Sequence, residues 1–81
     1  MLADDIREYV CHVYIEPARK GGEREVRVRA GDVHKEMGLC QRIPAVCSAI
    51  GSNKFQDEYR VRLVGREGPT NGSNVYFTFE V

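Results

Sequence analysis

The side chains with the greatest chemical reach in this chain are two histidines and three cysteines, His12, His34, Cys11, Cys40 and Cys47. Cysteine with histidine suggests either a metal centre or a thiolate activated by an imidazole base. Neither pattern is met. Cys40 and Cys47 lie seven positions apart and no Cys-x-x-Cys pair occurs, so the ligand spacing of a zinc knuckle is missing. A Cys47 and His34 pair would also need a group to orient the base and an oxyanion site, which 81 residues are poorly able to build. Gly21-Gly22 stands alone, and no glycine run opens a helix to cradle a phosphate. The expectation is no catalytic residue, no metal and no cofactor. Tyr9, Tyr14, Tyr76, Phe77 and Phe79 are the right residue types for stacking on unpaired bases. Alternation, however, puts Phe77 and Phe79 on one face with Val81, which makes them core.

Charge carries more information. The net charge is zero, which argues against a strong non-specific polyanion binder, but its distribution is uneven. Residues 1–16 hold one base, Arg7, against four acids. Residues 17–67 hold eleven bases against seven acids, and residues 68–81 hold only Glu80. Positive charge therefore gathers in the middle of the chain and acid at its start.

The apolar share of 42% with 30% charged residues is that of an ordinary soluble domain, and no apolar run approaches the roughly 20 residues that span a bilayer. The opening MLADDIREYV lacks the basic start and continuous apolar stretch of a secretory leader, so a cytoplasmic location is expected. An odd number of cysteines fits reduced thiols. The sequon Asn71-Gly72-Ser73 then reads as turn chemistry. One domain over residues 1–81 is expected, burying about 60% of its unfolded surface and so gaining from a second copy.

The elements that must position these residues follow from periodicity. Leu2, Ile6, Tyr9, Val10 and Val13 fall on one helical stripe, predicting a first helix over about residues 2–15; Pro17 either ends it or starts another turn, and Gly21-Gly22 breaks the chain before the next strand. Val26, Val28 and Ala30 alternate with Arg27 and Arg29, a short strand. Asp32 is placed to cap a second helix bearing Val33 and Met37, and Gly38 to end it. Pro44 suits the first position of a third helix, with Val46, Ala49 and Ile50 on one side and Ala45, Ser48 and Ser52 on the other. Gly51-Ser52-Asn53 ends it, and Phe55 anchors a short turn. Val61 and Leu63, then Phe77, Phe79 and Val81, alternate as two half-buried strands around a polar loop over residues 65–74.

Helix, strand, two helices across a polar turn, then a hairpin is an order that resembles the winged helix-turn-helix family over nearly the whole chain. The runs Arg29-Ala-Gly-Asp-Val-His-Lys-Glu-Met-Gly-Leu39 and Arg42-Ile-Pro-Ala-Val-Cys47 are also similar to small prokaryotic, especially archaeal, proteins. The resemblance implies an α+β fold of three helices, a small antiparallel sheet and a wing hairpin. It also implies a non-enzymatic, double-stranded DNA-binding role as a transcriptional regulator. The helix from Pro44 to about Gly51 would enter the major groove and the loop from Arg66 to Asn74 would be the wing. DNA contacts are then expected from Arg42, Ser48, Asn53, Lys54 and Arg66, with Lys35 reaching a phosphate. A homodimer through the acidic first helix is expected as well. One departure favours an alternative, a protein-interaction module: no Arg, Lys, Asn or Gln lies between Pro44 and Ser52, so base contacts would have to come from Gln41, Arg42, Asn53 and Lys54 at the helix ends.

Overall fold

The computed structural model describes residues 2–69 and 72–81. The first helical rod is longer than periodicity suggests: α1 (Leu2–Val10) runs into a π turn (Cys11–Ile15) and on into α2 (Glu16–Lys20). Val10 and Glu16 keep helical dihedrals, so the rod does not break. Of the two roles open to Pro17, the structure shows the second: it sits in the first turn of α2 and does not end the helix. In a regular α-helix its ring would clash with the carbonyl four residues back; the wider π turn just before it relieves that clash. The rod stops at Gly21, and Gly22 takes φ +75°.

The π turn also resets the phase of the buried face. Ile6 and Val10 are buried as the stripe requires, but within the turn the inward residues are Cys11 and Ile15, and beyond it Ala18. Val13, expected on the buried stripe, is instead 43% exposed.

Strand β1 (Glu25–Arg29) passes directly into α3 (Ala30–Glu36), followed by α4 (Ile43–Ile50), α5 (Asn53–Tyr59), β2 (Arg62–Glu67) and β3 (Tyr76–Glu80). Helix α3 closes with two bonds that satisfy its last carbonyls: Gly38 N–H donates to Lys35 O and Leu39 N–H to His34 O, both at 3.0 Å. Gly38 holds φ +67°, a conformation that favours glycine. Asp32 does not cap α3, which begins two residues before it; its carboxylate accepts from Arg29 Nη1 at 2.8 Å.

Helix α5 is the main addition to the expected three-helix count. Ser52 is not on an outward face of α4. Its Oγ accepts from Phe55 N–H at 3.3 Å, which makes Ser52 the N-cap of α5, and donates to Ala49 O at 2.8 Å. The helix buries Phe55 and ends at Arg60 in the left-handed region, φ 55°.

The three strands form one antiparallel sheet in the order β1-β3-β2. Val28 opposes Phe77 and Val26 opposes Phe79 on the covered face. A bulge at Val64 breaks the β2 register: Leu63 opposes Phe79, but Arg66 opposes Phe77. That extra residue turns Arg66 to the apolar face. Arg66 therefore belongs to a strand, not to a loop beginning at residue 65. Phe55 meets Phe79 edge-on at 5.2 Å, and these rings join Ile6, Ile15, Ile50 and Phe77 in one buried cluster under the helices. The fold is α+β. Among the described residues, no helix is long and apolar enough to cross a membrane.

Candidate nucleic-acid interface

The turn between α3 and α4 is held by the His34 side chain, which reaches forward to the backbone of Arg42. His34 Nε2 accepts the Arg42 N–H at 3.1 Å, so the ring proton of the neutral imidazole sits on Nδ1. This bond ties the last turn of α3 to the N-cap of α4, with Gln41 bent to φ 52° between them. Arg42 and Lys35 are both exposed at this end, and neither has an ion-pair partner among the described residues.

Helix α4 buries Val46, Cys47, Ala49 and Ile50 against α1 and α3. Pro44 and Ser48 remain exposed, while Ile43 and Ala45 are half-buried. The C-terminal end meets two guanidinium groups. Arg7, 8% exposed, donates from Nε to Ala49 O at 3.2 Å and from Nη1 to Asp4 at 2.9 Å. Arg66 lies over the Phe77 ring at 5.0 Å, with Nη1 3.5 Å from the place a Gly51 Cβ would occupy. Cations there complement the carbonyl end of the helix dipole.

The other expected contact residues separate. Asn53 and Lys54 are exposed on α5, and Asn53 Oδ1 accepts from Gln56 Nε2 at 3.4 Å. Lys54 Nζ stands 3.7 Å from both Asp4 and Glu58, which binds it to the acidic first helix. The structure thus groups Lys35 and Arg42 at one end of α4, Ser48 on its open side and Arg66 at its other end. The loop from Arg66 to Asn74 narrows to residues 68–75, of which Thr70 and Asn71, with the sequon on Asn71, lie outside the described residues.

No protein-family model, curated protein or solved structure matches this chain.

Several residues to which the sequence gives other roles shape this region. Arg29 donates to Asn74 Oδ1 at 3.3 and 2.7 Å while it pairs with Asp32, and Ala30 N–H donates to Val75 O at 2.9 Å. The last residues of the hairpin loop are thereby fixed to the start of α3. At the far end of α3, Glu36 accepts from Tyr9 at 2.7 Å and from Tyr14 at 2.9 and 3.1 Å. In an unbroken α-helix, residues five apart point well away from each other; the wider π turn brings these two phenols to one carboxylate. The hydrogen bond to Glu36 raises the Tyr9 phenol pKa above its ordinary value, as burial and then Glu36 raise that of Tyr14. Burial also raises the Cys11 and Cys47 thiols, which favours the less nucleophilic protonated form. Among the described residues, no three His, Cys, Asp or Glu side chains gather as a metal-holding group.

Proposed function

We propose that this chain is a winged helix-turn-helix domain that binds double-stranded DNA without catalysis, in the manner of a cytoplasmic transcriptional regulator. The observation that carries the reading is topological. The helix pair α3 and α4 precedes a hairpin that completes a β1-β3-β2 sheet, and the end of the hairpin loop is bonded to the start of α3. This arrangement leaves one side of α4 open, with Arg42 and Lys35 at its entry. Its N-terminal amides and these cations suit phosphate oxygens, and Ser48 lies on the side that would face a groove.

The protein-interaction alternative draws on a different observation. The exposed positions of α4 carry neither charge nor amide, and Lys54 is already drawn to Asp4 and Glu58. Lys35→Ala with Arg42→Ala separates the two readings. DNA binding requires a loss of about tenfold or more on every duplex, whereas Lys54→Ala should change little. Unaltered affinity in the double variant would remove this contact face.

A homodimer has little of the first helix's apolar stripe to use, because Ile6 and Val10 are buried within the chain and Val13 alone is strongly exposed. Sedimentation at high micromolar concentration reads this directly.

A further inference from the structure

We infer that the turn from Met37 to Arg42 is a proton-sensitive latch, closed while the His34 ring is neutral and opened when that ring takes a second proton. The inference stands on the turn itself and holds whether or not the chain binds DNA.

His34 fastens the turn at two points. Its carbonyl accepts the Leu39 N–H at 3.0 Å, and its ring Nε2 accepts the Arg42 N–H at 3.1 Å. The first bond is indifferent to pH. The second exists only for the neutral ring, because an imidazolium carries a hydrogen on both nitrogens and has no acceptor left. Protonation therefore does more than remove a bond: it sets one N–H against another, and the ring and the Arg42 backbone must part. Just before Arg42, Gln41 holds φ 52°. A residue with a Cβ is strained in that region and stays there only while its neighbours are tied down. Once Arg42 is released, Gln41 is free to return to an ordinary backbone conformation.

No anion stands ready to hold the imidazolium in place. Among the described residues, no carboxylate lies within ion-pair distance of His34. On its own helix Asp32 is paired with Arg29 of β1, and Glu36 takes the hydroxyls of Tyr9 and Tyr14 from the first rod. Strand β1 otherwise brings Arg27, paired with Glu67, and Glu25 at its far end. Helix α4 brings only the buried thiol of Cys47, and the turn adds the exposed Cys40. Lys35 and Arg42, exposed on either side of the turn, are cations. The carbonyl end of α3 favours an imidazolium, and the amide end of α4 opposes it.

The test follows the backbone amide and histidine ring resonances of the isotope-labelled protein from about pH 8 to about pH 5, the range in which histidines change charge. The Gln41 and Arg42 amides should move on the same curve as the His34 ring. Protection of the Arg42 amide against hydrogen exchange, corrected for the intrinsic rate, should fall about three- to tenfold, the fold-change carried by one hydrogen bond. His12, 3.3 Å from Glu16 in the π turn, should titrate without moving either amide. His34→Gln, whose side-chain carbonyl accepts at any pH, should hold both amides fixed, and His34→Ala should show the acid positions throughout. An Arg42 amide that stays put through the His34 titration, follows His12, or moves equally in His34→Gln would overturn the inference. So would Phe77 and Phe79 amides that move with it, because that is unfolding of the sheet and not opening of the turn.

Discussion

Arg7 Nε donates to the Ala49 carbonyl at 3.2 Å across 42 positions of sequence, joining the first helix to the end of α4 inside the protein. Burying a guanidinium is costly unless it is bonded, and here the Ala49 carbonyl and Asp4 both accept from it. Replacing Arg7 with Met should lower stability by about 2 kcal/mol, through the lost bond and the uncompensated helix end. Urea unfolding checks this: the midpoint should fall with an unchanged slope. An unmoved midpoint would show that Arg7 does not hold the two helices together.

The Tyr14 phenol is raised by burial first and by its bond to Glu36 second. In the unfolded chain the phenol ionises near its ordinary value of about 10, while in the folded chain it holds its proton to higher pH. Its stabilisation is thus fully present below about pH 10 and is lost as pH rises towards the folded-state value. The alkaline fall in stability should be shallower for Tyr14→Phe than for the parent. Denaturation midpoints between pH 9 and 11 give the comparison, and equal slopes would show that the Glu36 contact does not persist in solution.

Gly31 marks where the end of the hairpin loop touches α3. A Cβ there would lie 2.7 Å from Ser73 O and 3.0 Å from Ser73 Cβ, and both atoms must move for it to fit. Gly31→Ala should therefore destabilise by about 1–3 kcal/mol, with the largest amide shifts at Ser73 and Val75. A melting curve with a heteronuclear amide spectrum shows both effects. An undisturbed spectrum around Ser73 would contradict the docking of the hairpin on α3.

The three cysteines should differ in reactivity. Cys40 is exposed in the α3–α4 turn, whereas Cys11 and Cys47 are 6% and 2% exposed with thiol pKa values raised by burial. Brief alkylation of the native protein should add one label, and alkylation in urea three. Mass spectrometry counts them, and rapid labelling of Cys47 in the native protein would contradict the packing of α4.

Much of this fold was legible from patterns that operate over a few residues. Val26 and Val28, and Phe77 and Phe79, betray their strands by alternation; Gly38 marks the end of α3 because few other residues take its backbone angles. What was not legible depends on distant partners or on a change of period. The π turn has no sequence signature, so helical periodicity alone puts Val13 on the buried stripe. Ser52 reads as part of the break after α4, and its role as the cap of α5 rests on the bond its Oγ accepts from Phe55 N–H. The bulge at Val64 reverses the face on which Arg66 lies, and the Lys54 to Asp4 pair joins helices 50 positions apart. The expected contact residues are thus legible only as residue types, while their positions around α4 depend on tertiary structure.

The central claim is tested most directly by titrating the protein into a labelled random-sequence duplex at low and at physiological salt. The account expects micromolar binding at low salt that weakens linearly in log salt with a slope of about −2 to −3. Absence of binding at low salt, or binding indifferent to salt, would contradict it and direct attention to a protein partner for the open side of α4.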